Sequence, residues 1–427
     1  MPLLSLLLLL QTTLTTVLVA AANSDANILD VAIIGSGPGG LSAALALSKN
    51  HNRVAVYEKA SAFRPIGAAL GLHELGYAAL ESLGIAELVR AGAANPKHNI
   101  LQRPNGEILN DDESVFYNTP FTWLGWYTLQ SALRESLPEH VNINLQHKLV
   151  DIEEDDKNGL VKLSFQVGTS KTKKVVLART LVGADGYHSI VRRHTVNDGH
   201  PNYTGTMTWR GVLDRKMFTG GKLGKPFHTE DESGMLSVIG DKKNFIVMDC
   251  GSGQIAWTGT ALQENAEKSE SAQQSALDTF QDWPSVVGDL IRATNADDII
   301  ESGVYDRNSV DSWGVSCGKF KRVTLLGDAA HAMRPSLGLG STMAFQDALS
   351  LAKNMAEVSS LDNSNKVADA IKSYEKERIE ITSPLQAKAR VEGERSHSSD
   401  QAEQMKQMIE SAIAKKLETV GAVKEEL

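Results

Sequence analysis

The sequence predicts an α/β fold: a parallel-sheet domain divided along the chain, an inserted antiparallel-sheet lobe and a C-terminal helical tail. Three observations predict it. A β-branched run at 30–34 leads into Gly35-Ser36-Gly37-Pro38-Gly39-Gly40 and then into apolar residues 41–47, the order strand, glycine turn, helix. The same strand-to-glycine pattern returns late in the chain, where 322–326 runs into Gly327-Asp328. Between them, short alternating runs at 206–213, 235–239, 245–249 and 254–261 are separated by glycines and charged turns, as in an antiparallel sheet. The expected limits are 28–197 and 299–385 for the parallel-sheet domain, 198–298 for the inserted lobe and 386–427 for the tail.

The first unit closes when 53–57 resumes the strand pattern, giving one βαβ unit of about 30 residues. Residues 74–83 and 128–137 carry helical patterns, the second stopped by Pro138. Strands are expected at 142–153, 160–166 and 174–182, the last leading into Gly183-Ala184-Asp185-Gly186. A helix at 267–280 ends the lobe, and another at 343–355 follows the late glycines. After Glu375 the chain reads as charged helix, with a narrow apolar stripe at Ala402, Met405, Ile409, Ala412 and Ile413.

Composition narrows the function. With 427 residues, 42% hydrophobic, the chain can bury a large core. A net charge of −9 argues against nucleic acid as a partner, which would select a basic face. Cys250 and Cys317 stand apart, with no metal-ligand spacing, so no metal site is expected. Two separate thiols, or one disulfide in a secreted chain, both fit.

The glycine loop fits GxGxxG directly after a strand and opening a helix. Gly35 permits the tight turn, and Gly37 lets the backbone approach a diphosphate. Gly40 lets helix and strand pack closely, with Pro38 and Gly39 between them at the helix start. Glu58, with Lys59 beside it, ends the second strand where a carboxylate can hold a ribose hydroxyl pair. This is a Rossmann-like dinucleotide site. It leaves FAD and NAD open, and an NAD-dependent dehydrogenase is the competing class.

The late segment bears on that choice. In Gly327-Asp328-Ala329-Ala330-His331, followed by Pro335, Gly338, Leu339 and Gly340, a carboxylate sits beside glycines and a helix start. Asp328 can accept from ribityl hydroxyls, and Gly338 and Gly340 let backbone N–H groups reach an acceptor. The helix N-terminus can stabilise negative charge on a reduced flavin.

This segment resembles the GD motif of the FAD-dependent class A aromatic-ring monooxygenases, GDAAHxxxPxxGxGxxxxxxDA, through Asp347-Ala348. Gly183-Ala184-Asp185-Gly186 with Ser189, Val191 and Arg192 is similar to the family's DG motif, whose Asp region serves both FAD and a transient nicotinamide. The resemblance covers about 28–390. Phe63-Arg64-Pro65-Ile66-Gly67 and Tyr127-Thr128-Leu129-Gln130 resemble the zeaxanthin epoxidases; Thr208-Trp209-Arg210-Gly211-Val212 and Tyr305-Asp306-Arg307 are similar to salicylate hydroxylase-like enzymes.

The resemblance implies a concrete activity. NAD(P)H binds transiently, reduces FAD and leaves, and O2 then forms a C4a-hydroperoxyflavin that hydroxylates or epoxidises a small hydrophobic or aromatic substrate. That chemistry needs a dry pocket. The substrate would lie between the inserted sheet and the flavin, near Pro335 and Gly338. Pocket candidates are Pro335, His331, Trp209 and Arg210, against simpler readings: a structural hydrogen bond for His331, core for Trp209, a surface charge for Arg210. Asp185 either caps a turn or touches cofactor. No general base stands out, and no stable protein partner can be inferred.

Departures from the family pattern weaken the expected grip on FAD. Trp126 stands where the family has an Arg, Leu339 where Gln is usual and Thr342 where Asn is usual. An Arg supplies a permanently charged, bidentate donor that Trp cannot. A flavin binder with little turnover, acting as a scaffold, is the alternative these departures keep open.

The ends of the chain carry possible addresses. Residues 1–22 read as a signal peptide, leucine-rich at 3–10 with Ala20-Ala21-Ala22 for cleavage, although no Lys or Arg precedes the leucines. A membrane anchor and an organellar presequence are alternatives. The last four residues, Lys424-Glu425-Glu426-Leu427, are one conservative change from KDEL and suggest the ER lumen. Asn202-Tyr203-Thr204 is a sequon that counts only on that route.

Overall fold

The computed structural model describes residues 28–65, 67–112, 122–169, 172–218 and 233–395. The leader, the apolar stripe from Ala402 to Ile413 and the last four residues lie outside the described residues.

The chain opens with β1 (Leu29–Ile34), α1 (Pro38–Leu47) and β2 (Val54–Tyr57), the βαβ unit that the sequence predicts. β3 (Ala69–Leu72), α2 (Glu74–Leu83), α3 (Ala86–Gly92), β4 (His98–Gln102) and β5 (Ile108–Asp112) follow. Then come β6 (Thr122–Gly125), α4 (Trp126–Glu135), β7 (Asn142–Asn144), β8 (His147–Asp155), β9 (Leu160–Val167), β10 (Lys173–Gly183) and α5 (Ile190–Thr195). The lobe holds β11 (Asn202–Asp214), β12 (Gly234–Gly240), β13 (Lys243–Asp249), β14 (Gln254–Leu262), α6 (Ala272–Thr279), α7 (Ser285–Ala293) and β15 (Ile300–Asp306). The chain returns through β16 (Val323–Leu325), α8 (Asp328–His331), α9 (Gly340–Ala356) and α10 (Ser364–Arg395).

In the first sheet β7, β2, β1, β10 and β16 lie parallel, and β9 and β8 extend the edge antiparallel along the first half of β10. Val31, Ile33, Val56, Leu181 and Val182 have no solvent exposure, as central strands covered on both faces require. The single strand expected at 142–153 is two. Gln146 adopts a φ of 58° and turns the chain, so β7 pairs with β2 while β8 pairs with β9.

The second sheet runs β15-β11-β14-β13-β12-β4-β5. It therefore exceeds the expected 198–298 insertion at both ends. β15 covers the outer edge of β11, and β4 and β5, from the first half of the chain, cover the edge of β12, so strand edges that would otherwise stay open are paired. From Met207 onward in β11, and along β13 and β14, successive side chains alternate between the two faces. Met207, Trp209, Phe245, Val247, Ile255 and Trp257 face one way and pack with Phe280 and Leu290 from the helical cover. That cover is two helices rather than the expected one at 267–280. Ser271 caps Gln274 to start the first, and Pro284 precedes the second. Cys250 and Cys317 are both free thiols, so the disulfide alternative falls.

The tail expected at 386–427 is not separate where it is described. α10 starts at Ser364 and continues through Pro384 to Arg395. Along its length Tyr374 Oη donates to Leu325 O (2.8 Å), Arg378 Nε to Asp347 Oδ1 (2.7 Å), Gln386 Nε2 to Ala332 O (3.2 Å) and Arg390 Nη2 to Asp306 Oδ1 (3.0 Å). Residues 386–395 thus belong to the body.

Arg378 is 3% exposed and Asp347 fully buried. Removing one partner of such a pair costs about 3–5 kcal/mol, so Arg378→Met should lower the urea midpoint accordingly. Burial alone would raise the Asp347 carboxyl, but His331, Arg378 and the Gly327 N–H together hold it below its ordinary value. Its contribution is full above about pH 4 and is lost as pH falls through the lower folded value. The difference between wild type and Arg378→Met should therefore narrow in strong acid.

Candidate functional site

The glycine loop is built by close approach. Gly35 has a φ of 103°, and a Cβ there would lie 2.3 Å from Ala184 O; one on Gly40 would lie 2.0 Å from Gly35 O. A Cβ on Gly39 would meet Leu326 Cδ1 at 2.9 Å, so this glycine lets the loop pack on the late flavin-like segment. Gly37 differs: nothing lies within 4 Å of its Cβ position, which opens on the cavity. α1 has Pro at its start and no side-chain cap, leaving its first-turn donors for a ligand. Glu58 Oε2 accepts from Ser36 N (3.0 Å) and Oγ (2.9 Å), and Oε1 from Ala60 N (2.8 Å). From α4, Gln130 Nε2 donates to Ser36 O at 2.9 Å. A lone amide on an amphipathic helix carries no pattern, so the role of Gln130 is not legible in the sequence.

The late segment forms the facing wall. Gly327 has a φ of 58°, and its N–H donates to Asp347 Oδ2 at 2.8 Å. Asp328 opens α8 and faces the cavity, with no hydrogen bond or ion pair among the described residues. Its side chain is exposed on the cavity wall, and desolvation by the protein around it pushes its carboxyl up, against the opposing charge of His331. Gly338 has a φ of 63°, and nothing lies within 4 Å of the Cβ position of Gly340. α9 begins there with Leu339 at its N-cap and no side-chain cap, so a second helix N-terminus opens on the same cavity.

Asp185 both lines the cavity and caps α5. Its Oδ1 accepts from Ser189 Oγ (2.5 Å) and Oδ2 from Ile190 N (2.7 Å), while burial pushes its pKa up against those bonds. The buried Arg192 of α5 donates Nη1 to Ala329 O (3.1 Å) and to Ala330 O, tying the two motifs together.

One cavity of about 1380 Å³ joins these parts and continues to the second sheet. Gly35, Gly37, Pro38, Gly39, Glu58, Lys59, Asp185, Gly327, Asp328, Gly338 and Gly340 all line it. Gly40 and Leu339 do not; they act by packing and by starting a helix. Pro335 and Arg210 line it as well. Two pocket candidates are corrected. Trp209 is fully buried on the other face of β11, where its Nε1 donates to Glu301 Oε1 at 3.1 Å. Adjacent strand residues point to opposite faces, so Trp209 and Arg210 could not share the pocket. His331 is buried behind the loop, donating Nε2 to Asp347 Oδ2 at 2.6 Å. The alternation that buries Trp209 places Thr206, Thr208, Asn244, Ile246, Met248, Thr258 and Thr260 on the cavity, residues that a period-two reading would have found.

The model of the FAD binding domain family matches residues 28–389. The chain belongs to that family. This flavoprotein is 30% identical over 367 residues to the chloroplastic zeaxanthin epoxidase of Spinacia oleracea, covering 81% of this chain and 51% of that one. It therefore spans about half the length of the zeaxanthin epoxidases it matches. It is 28% identical over 335 residues to the aurachin C monooxygenase/isomerase of Stigmatella aurantiaca, covering 76% of this chain and 80% of that one. Klebsiella pneumoniae HpxO, solved with FAD and uric acid, shares the fold with a TM-score of 0.70 and 22% identity over 90% of this chain and 94% of that one. The family resemblance is thus borne out, and FAD is the dinucleotide.

The residues fit FAD. The open Gly37 position and the uncapped start of α1 suit its diphosphate, Glu58 its ribose, Asp328 its ribityl hydroxyls and the start of α9 its flavin edge. Trp126 heads α4 on the cavity wall, at the position where the resemblance leads one to expect an Arg. Gly40→Ala should give a folded protein without flavin, read from the flavin absorbance per chain. Trp126→Arg should tighten FAD roughly ten- to hundredfold, from the about 1.5–3 kcal/mol of a charge-assisted hydrogen bond, measured by fluorescence titration of the apoprotein.

Proposed function

We propose that this flavoprotein is a monooxygenase that takes electrons from NAD(P)H and inserts one atom of O2 into a small ring-containing substrate. The observation that carries the reading is the single cavity running from the phosphate loop past Asp328 to the second sheet. Cofactor and substrate share one protein-walled space, as oxygen transfer from a flavin demands. Bound FAD supplies the redox chemistry, accepting a hydride and activating oxygen.

The chain's residues do the rest. Gly35–Gly40 backbone and α1 hold the diphosphate, and the N-terminus of α9 favours negative charge beside Gly340. Pro335, Gly338 and the sheet wall enclose the substrate. A single GxGxxG supports a nicotinamide that visits and leaves rather than one held in its own domain. The monooxygenase and epoxidase names of the relatives and the ring-shaped uric acid of HpxO support the same reading.

Anaerobic mixing of the FAD-loaded protein with NADPH or NADH tests it. The flavin absorbance should bleach, faster when a substrate is present, and readmitted oxygen should restore it with oxygenated product. If neither nucleotide bleaches the flavin with any phenol, ring acid or carotenoid, the reading fails.

A further inference from the structure

α10 turns an apolar stripe outward that no described residue covers. Eight large apolar side chains are exposed among the described residues, and α10 alone among the helices and strands carries two of them, Ile381 (42% exposed) and Val391 (48%). Pro384 and Ala387 are exposed between them. Steps of three and four residues place all four on one side of the helix. The opposite side is fixed to the body through Tyr374, Arg378 and Gln386, so the stripe cannot turn inward. A lone exposed apolar residue needs no explanation, but a contiguous stripe calls for an occupant.

The chain beyond Arg395 carries a face that matches. Ser396-His397-Ser398-Ser399-Asp400 is made of residues that favour turns and helix caps. Asp400 followed three residues later by Glu403, just before apolar residues, marks a new helix start. The stripe Ala402, Met405, Ile409, Ala412 and Ile413 begins there. A loop of this length joins antiparallel helices. Folding about Ser398 sets Val391 opposite Met405, Ala387 opposite Ile409 and Pro384 opposite Ala412, with Ile381 beside Ile413. The flanking charges agree. Glu380 falls opposite Lys416 and Lys388 near Glu410, and neither Glu380 nor Lys388 has an ion pair among the described residues. A continuous helix paired with a second copy fits less well, because its seam would carry Lys388, Arg395 and Ser398.

We propose that residues 401–417 fold back as a helix onto the outer face of α10, so that the occupant of the exposed stripe is this chain's own tail. The docked pair removes Ile381 and Val391 from water together with Met405, Ile409 and Ile413. Its position gives the contact a use. Gly393, in the last turn of α10, lines the flavin cavity, and Glu394 meets Arg334 of the late glycine segment at 3.6 Å. The tail steadies that turn from the outside. The inference is independent of the reaction that the cavity performs.

Disulfide trapping in the FAD-loaded full chain tests it, with Cys317→Ser as the background. Cys250 is buried and its thiol is pushed up to about 12, so it stays silent. A disulfide needs Cβ atoms about 4 Å apart, so the register of the two helices decides the rate. Val391→Cys with Met405→Cys, and Ala387→Cys with Ile409→Cys, should close within one chain about tenfold faster than Val391→Cys with Ile413→Cys. The last pair stands about 12 Å out of register. Trypsin reads the same contact without new cysteines. Ile381→Asp with Val391→Asp should speed cleavage at Lys406, Lys415 and Lys416 about tenfold, while the near-UV circular dichroism of the body stays unchanged. Equal rates for matched and mismatched pairs overturn the proposal, as does cleavage that the aspartates leave unaltered. Cross-links that join two chains at every dilution also overturn it, and assign the face to a second copy.

Discussion

The flavin side of this protein depends on one buried carboxylate. Asp347 accepts from the Gly327 N–H, from His331 and from Arg378, and so joins α9, the late glycine loop and α10 at a single point. Each of those bonds fixes something the site needs. The first holds the left-handed turn at Gly327, from which Asp328 is presented to the cavity. The second turns the His331 ring inward, which removes it from the substrate space. The third brings α10 down along the whole segment, where Gln386 and Ser336 complete the attachment. Three hydrogen bonds converging on one buried carboxylate make a rigid joint, and rigidity here keeps the start of α9 aimed at the flavin edge.

Close approach does the same on the diphosphate side. Gly35, Gly40 and Ala184 touch with no space for a side chain, and Gly39 lets that loop lie against Leu326 and Ala344. The two flavin segments are therefore one packed unit, although some 290 residues separate them in the chain. Arg192 adds the third motif, reaching from α5 to the carbonyls of Ala329 and Ala330. Three motifs distant in sequence become one rim because each carries a contact that only the others can complete.

The second sheet gives the cavity its chemical character. Its inner face buries aromatic residues under α6 and α7, which leaves the outer face free to be polar. Threonines and Arg210 on that face, beside Ile246 and Met248, make a wall with both hydrogen-bonding and apolar surface. Such a wall is selective for orientation as well as for composition, since a ligand must match the gradient across it.

By itself the sequence determined the α/β class, the βαβ unit and the three motifs, and through the family those motifs resemble it pointed to FAD. These are local: a glycine that must have no side chain, or a strand that must be buried on both faces, is legible from its neighbours. It did not show that β4 and β5 join the second sheet, that α10 is part of the body, or that Gln130 steadies the phosphate loop, because those pairings join segments far apart in the chain. Nor did it separate Trp209 from Arg210. Both residues sit in one strand and look equally suited to a pocket. Only packing on α6 and α7 decides which face of the strand is core, and with it that the charge, rather than the indole, looks into the cavity.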